Sequence, residues 1–222
     1  MINKLKSYSV LSSTVANIIK RQLKKHPLSK LGLPTGDTPL GMYSELVKKE
    51  LDWKSVITFN LDVYLMNVDH PQSYQMYMRG NLFDRTNIYP DHCHFPYRPT
   101  LSFEDKINAN RGIDLCILGI GSNGHIAFNE PGSLFKSRTR VVDLSEQTIQ
   151  DNSRFFDSID NVPKQAITMG LGTIMESKKI ILVANGKHKL NILKVAMNGE
   201  VTEDVPASIL QRHNNVEVYY CD

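Results

Sequence analysis

Apolar positions fall into two rhythms along this chain, one with helical spacing and one in short continuous runs. Val15, Ile18, Ile19 and Leu23 share one face of a predicted helix. Ser12 or Ser13 is expected to cap it, and Pro27 to stop it just after Lys25. Met42, Leu46 and Val47 mark a second helix with Pro39 near its first turn. Residues 72–82 and a stretch from about Lys189 to Met197 read as two more. The continuous runs are Lys30–Pro34, Ser55–Leu61, Ile113–Ile120, Lys179–Ala184 and Val216–Tyr220, each rich in β-branched or other apolar residues and bounded by turn formers. Ile88 to Thr100, dense in Pro, His and aromatics, reads as irregular.

Buried strands alternating with helices predict an α/β fold, a mostly parallel sheet covered on both faces. In such sheets ligands collect beyond the carboxyl ends of the strands, where the distinctive loops of this chain also fall. No repeat or Pro/Gly/Ser linker divides the 222 residues, so residues 1–222 read as a single domain. Hydrophobic residues at 41% and charged residues at 22% exclude extended disorder. With 26 basic against 23 acidic residues the charge is too even for a nucleic-acid partner. The start of the chain lacks a signal-peptide pattern, and no apolar run is long enough to span a bilayer. A cytoplasmic protein without a membrane partner is therefore expected. Cys93, Cys116 and Cys221 form neither a disulfide framework nor a metal-ligand spacing. His92, Cys93 and His94 adjoin one another, but neighbouring extended residues point apart, so no metal is expected.

Four places carry candidate chemistry. Thr35-Gly36-Asp37-Thr38 lies between a strand and a helix, where backbone N–H groups and the helix dipole make either an anion site or an ordinary capped turn. A ligand phosphate would be repelled by the Asp37 carboxylate unless that group points away. Asp62 follows a buried strand, as a crevice base or as the cap of the next turn. The run from Gly119 to Pro131 places three glycines and Asn123 after an apolar strand and presents His125, with Glu130 close behind. A carboxylate bonded to an imidazole fixes its tautomer and makes it a usable proton carrier; the alternative is a structural histidine. Arg154 and Lys189 are either phosphate ligands or solvated charges.

Several runs together resemble one family. Leu31 to Gly41 is similar to the phosphate loop of the glucosamine-6-phosphate deaminase and 6-phosphogluconolactonase superfamily. Phe59 to Tyr64, Asp69 to Tyr74 and Gly121 to Gly132 resemble its deaminase branch, the last through the Asn129-Glu130-Pro131 ending that the lactonase branch lacks. Similarity continues through Ser137 to Arg140, Asn152 to Phe156 and Val162 to Thr168. The resemblance implies a modified Rossmann-like fold and cofactor-free conversion of glucosamine 6-phosphate, a small amino-sugar phosphate, to fructose 6-phosphate and ammonia. It implies that His125 opens the sugar ring with Glu130 and Asn123, that Asp62 moves the proton between C2 and C1, and that residues 35–38, Arg154 and Lys189 hold the phosphate. Galactosamine 6-phosphate, lactone hydrolysis and binding without turnover remain as alternatives, and a homo-oligomer stays open. Asp37 stands where the family usually has Ser or Gly, and Val63 where it commonly has Glu. Leu134 and Val142 replace polar groups of the family's effector site beside Ser133 and Arg140, so activation by an acetylated sugar phosphate is not expected.

Overall fold

Seven strands form one parallel sheet in the computed structural model, which describes residues 1–97 and 101–222. In chain order the strands and helices are β1 (Ile2–Leu5), α1 (Tyr8–Lys25), β2 (Lys30–Leu33), α2 (Leu40–Val47), β3 (Ile57–Asn60), β4 (Asp62–Tyr64), α3 (Tyr74–Asn81), β5 (Cys93–His94), α4 (Leu101–Ala109) and β6 (Leu115–Gly119). There follow β7 (Arg140–Asp143), α5 (Glu146–Asn152), β8 (Gln165–Thr168), α6 (Leu171–Met175), β9 (Ile180–Asn185), α7 (Leu190–Asn198) and β10 (Val216–Cys221). The large sheet runs β1-β10-β9-β6-β2-β3-β5, and every pair in it is parallel.

Alternation within the strands decides which layer each residue joins. Leu115 and Ile117 of β6 and Ile181 and Val183 of β9 pack with α1 and α2. Cys116, Leu118, Ile180 and Leu182 pack on the opposite face with Phe103 of α4, Ile174 of α6 and Leu193 of α7. Both faces are therefore covered, which is why these strands read as unbroken apolar runs. Cys116 is a fully buried thiol whose titration burial pushes up to about 12. It nests against Gly32 of β2, where an added Cβ would lie 2.8 Å from its Sγ.

The chain leaves β2 towards β3 and β5 on one side, and from β6 it proceeds to β9 and β10 on the other. The order reverses between β2 and β6, so their following loops diverge and open a crevice at the carboxyl end of the sheet. A second, antiparallel sheet, β4-β8-β7, stands beside that end.

Three boundaries differ from the sequence reading. Helix α1 begins a turn early, because Ser7 rather than Ser12 or Ser13 caps it, accepting from Val10 N at 3.3 Å. Ser12 is buried inside the helix, against Gly41. Asp62 follows β3 as read, but it also opens a strand of its own, β4, paired with Thr168 in the second sheet. The irregular stretch holds the edge strand β5, while Arg98 to Thr100, its last residues, lie outside the described residues. The second sheet itself was not foreseen: its strands are three or four residues long, too short for period-two patterning to register.

Candidate active site

The crevice is a cavity of about 530 Å³, within the range of small-molecule sites. Four carboxyl ends of the large sheet feed it: the 35–38 turn after β2, Asp62 after β3, the glycine loop after β6, and His188 and Lys189 after β9.

The turn after β2 is held from behind. Tyr43 Oη donates to Pro34 O at 2.5 Å, Tyr77 Oη to Gly36 O at 2.6 Å, and Tyr8 Oη to Asp37 O at 3.0 Å or Thr38 O at 3.1 Å. Three helices thus take up the carbonyls of this segment. Among the described residues nothing accepts from the amides of residues 35–38. Gly36, at φ 96°, supplies the left-handed residue that lets successive N–H groups converge. A concave set of donors before a helix is an anion site. A phosphate in this cradle requires the Asp37 carboxylate to point away from it. Asp37 Oδ2 accepts from Arg154 Nε at 3.1 Å and Nη2 at 2.9 Å, so the carboxylate is turned to a cation rather than into the amide cradle. Lys189 lines the same cavity; burial lowers its pKa, with Asp151 opposing and Arg154 reinforcing that shift.

Asp62 is 7% exposed, and no described group donates to its carboxylate. Desolvation raises its pKa to about 7. Tyr64, Tyr74 and Phe128 pack together alongside, ring centroids 4.7 to 6.1 Å apart. A carboxylate so placed is balanced between proton acceptor and donor near neutrality.

Opposite it, His125 sits on the glycine loop. Gly124, at φ 88°, turns the backbone, and the imidazole lies against the bare Cα of Gly121, where any side chain would collide with the ring. A direct Glu130–His125 bond was expected; the structure instead interposes an amide. His125 Nδ1 is 2.8 Å from Asn123 Oδ1 and 3.5 Å from Glu130 Oε2, while Asn123 Nδ2 donates to Glu130 Oε2 at 2.7 Å. Because the carboxylate demands the NH₂ side of the amide, Oδ1 must face the ring. Nδ1 therefore carries hydrogen, and Nε2 is left as the atom available to a ligand. Burial works against the Glu130 charge, yet the neighbouring His125 and Thr148 and the bond from Asn123 hold its pKa at about 2. Glu130 and Asn123 thus stand behind the cavity and His125 within it.

The fourth wall is α5 and the turn after it. Thr148 Oγ1 lies 3.4 Å from His125 Nδ1, Asp151 accepts from Ser122 Oγ at 2.5 Å, and Asn152 Nδ2 donates to Tyr64 Oη at 2.9 Å. The sequence reading missed Thr148, Asp151 and the tyrosines. Polar residues on a short helix look solvated, and only the spacing of Thr148, Asp151 and Asn152 on one helical face offered a signal. Arg140, half-buried, gives its fork to Asn129 Oδ1 at 2.8 Å and Ser133 Oγ at 3.0 Å, outside this cavity. Among the described residues no cluster of His, Cys, Asp and Glu is suited to a metal ion, and no described helix is long and apolar enough to cross a membrane.

Residues 4–219 match the family described as glucosamine-6-phosphate isomerases/6-phosphogluconolactonase. The chain is 46% identical to a glucosamine-6-phosphate deaminase of Thermoanaerobacter sp. strain X514, covering 96% of this chain and 88% of the relative. It is 49% identical to glucosamine-6-phosphate deaminase 2 of Bacillus subtilis strain 168, covering 95% and 90%. A solved structure of a monomeric glucosamine-6-phosphate deaminase superposes with a TM-score of 0.95 at 40% identity, covering 99% of this chain and 96% of the other. A 6-phosphogluconolactonase from Trypanosoma cruzi shares the fold, with a TM-score of 0.79 at 21% identity over 99% and 93%.

Proposed function

This chain belongs to the family of glucosamine-6-phosphate isomerases and 6-phosphogluconolactonases, and on that premise we propose that it converts glucosamine 6-phosphate and water to fructose 6-phosphate and ammonia. The observation that carries the reading is Asp62: a buried carboxylate with its pKa raised to about 7, sharing one cavity with an imidazole of fixed tautomer.

The phosphate is received by the amides of residues 35–38 with Arg154 and Lys189. Its dianionic charge suits a cradle of N–H donors and cations. Nε2 of His125 accepts the proton of the anomeric hydroxyl and delivers it to the ring oxygen as the C1–O5 bond breaks, giving the open-chain aldehyde. Asn123 and Glu130 hold the ring in orientation. The C2 proton is then acidic beside the carbonyl, and the Asp62 carboxylate removes it while a proton of the substrate's C2 ammonium group passes to the C1 oxygen, forming an enolamine. Asp62, now a carboxylic acid, returns its proton to C1, and C2 becomes an iminium carbon. Water adds to C2 and ammonia leaves, which completes the ketose. A group that accepts and then donates works best with its pKa near the working pH, as at Asp62.

No step calls for a cofactor or metal. Every residue invoked belongs to one chain, so the chemistry does not require a homo-oligomer. A charged phosphorylated substrate supports a cytoplasmic location. Incubation with glucosamine 6-phosphate alone tests the reading: ammonia and fructose 6-phosphate should appear in equal amounts. Hydrolysis of 6-phosphogluconolactone without ammonia release would replace it with the lactonase reaction, and turnover of galactosamine 6-phosphate alone would move the specificity.

A further inference from the structure

We propose that Asp37 sets the enzyme's affinity for its phosphorylated substrate by occupying Arg154, so that the incoming phosphate competes with a built-in carboxylate for the guanidinium. The inference rests on the phosphate subsite of the proposed function and concerns a side chain that the sequence marked as unlike its family.

The contact uses the part of Arg154 that recognises anions. Nε and Nη2 form one edge of the fork, and both are directed to Asp37 Oδ2, at 3.1 and 2.9 Å. Nη1 is held by the carbonyl of Asp151. A bidentate grip on a phosphate needs one such edge, and the Nε–Nη2 edge is already filled. Asp37 is itself part of the turn whose amides face the ligand, so the carboxylate and a bound phosphate would lie side by side. Phosphate binding must therefore break or share the Asp37–Arg154 contact, and it does so next to a like charge.

Neighbouring charges do not replace Asp37 in this role. Asp151, the other carboxylate facing the group, is engaged by Ser122 Oγ at 2.5 Å and Gln147 Nε2 at 2.8 Å. Lys189 is left as the second cation. The Asp37 and Arg154 side chains are 53% and 57% exposed. An exposed pair is weak, which makes it displaceable: Asp37 tunes affinity without closing the site.

The test compares Asp37→Ser and Asp37→Asn with the wild type, reading KM for glucosamine 6-phosphate, kcat, and Ki for inorganic phosphate as a competitive inhibitor. Removing the charge should lower KM and Ki together by about fivefold, the upper end of what an exposed ion pair carries, while kcat changes far less. Asp37→Asn, which keeps an acceptor but not the charge, should reproduce most of the gain. In an Arg154→Ala background, where there is nothing to compete for and only the like charge remains, Asp37→Ser should lower Ki clearly less than it does with Arg154 present. Unchanged or raised KM and Ki in Asp37→Ser would overturn the inference, as would an undiminished gain in the Arg154→Ala background, which would reduce Asp37 to simple repulsion. Wild-type protein that neither turns over the sugar phosphate nor is inhibited by phosphate would instead fail the underlying reading, a distinct result.

Discussion

Asp62 trades stability for function. Its folded-state pKa of about 7 lies above the ordinary value of 3.8, so the folded protein retains a proton that the unfolded chain releases. Between about pH 4 and 7 the unfolded chain loses that proton first, and stability falls as pH rises through the window. A rise from 3.8 to about 7 corresponds to stability on the order of 4 kcal/mol, present below about pH 4 and fully lost above about pH 7. Asp62→Asn should therefore melt later than wild type at pH 8 and similarly at pH 4, while losing deamination; calorimetry at the two pH values checks this, and an unchanged melting point at pH 8 would mean the carboxylate is better solvated than its burial implies. In the proposed reaction the same pKa predicts that kcat falls as pH drops below about 7, because the carboxylate would have to be ionised to accept the C2 proton. Gly121 acts by what it lacks. Gly121→Ala should push the imidazole out of place and lower kcat by a hundredfold or so, in the range that general acid–base catalysis supplies, with near-normal circular dichroism. Of these residues His125, Asp62 and Glu130 were legible from sequence because each is a chemical oddity after an apolar strand. Asn123 as the intermediary was not, since which of two groups reaches the ring depends on loop geometry that glycines leave open.

At the scale of elements, the site is a set of loops steadied by helices behind them. Tyr8 from α1, Tyr43 from α2 and Tyr77 from α3 hold the carbonyls of the 34–38 segment. This leaves its amides facing the cavity. Tyr77→Phe removes one of these bonds, at Gly36 O, without changing ring volume. It should raise KM several-fold with kcat nearly constant, consistent with loss of about 1 kcal/mol from one hydrogen bond; steady-state kinetics would show it, and a fall in kcat alone would assign Tyr77 to the chemistry instead. The helix pattern of α1 was readable in Val15, Ile18, Ile19 and Leu23, yet its start was not. Two serines inside the helix looked like caps as good as Ser7, and only the packing of Ser12 against Gly41 separates them. Helix α5 was missed because its inward groups are polar and its core contacts few, though it supplies Thr148, Asp151 and Asn152 to the site.

For the whole molecule, the parallel sheet was legible because its strands are apolar on both faces, and the crevice followed from the rule that ligands bind at strand carboxyl ends. Strand order was not, since no local pattern says that β6 lies beside β2 and β9. That adjacency is what carries His125 from residue 125 to the same crevice as Thr35 and Asp62. The antiparallel β4-β8-β7 sheet fixes Asp62 from one side through its pairing with Thr168, while β2 fixes it from the other through Leu61 N to Leu33 O at 3.2 Å. The proposed base is thus anchored between two sheets, and the imidazole rides on a loop. The measurement that bears most directly on this arrangement is loss of the C2 proton of glucosamine 6-phosphate, followed by NMR for wild type and Asp62→Asn. The arrangement predicts that wild type removes this proton at least as fast as ammonia is released and that Asp62→Asn leaves it in place; removal at the wild-type rate by Asp62→Asn would contradict the assignment of the base.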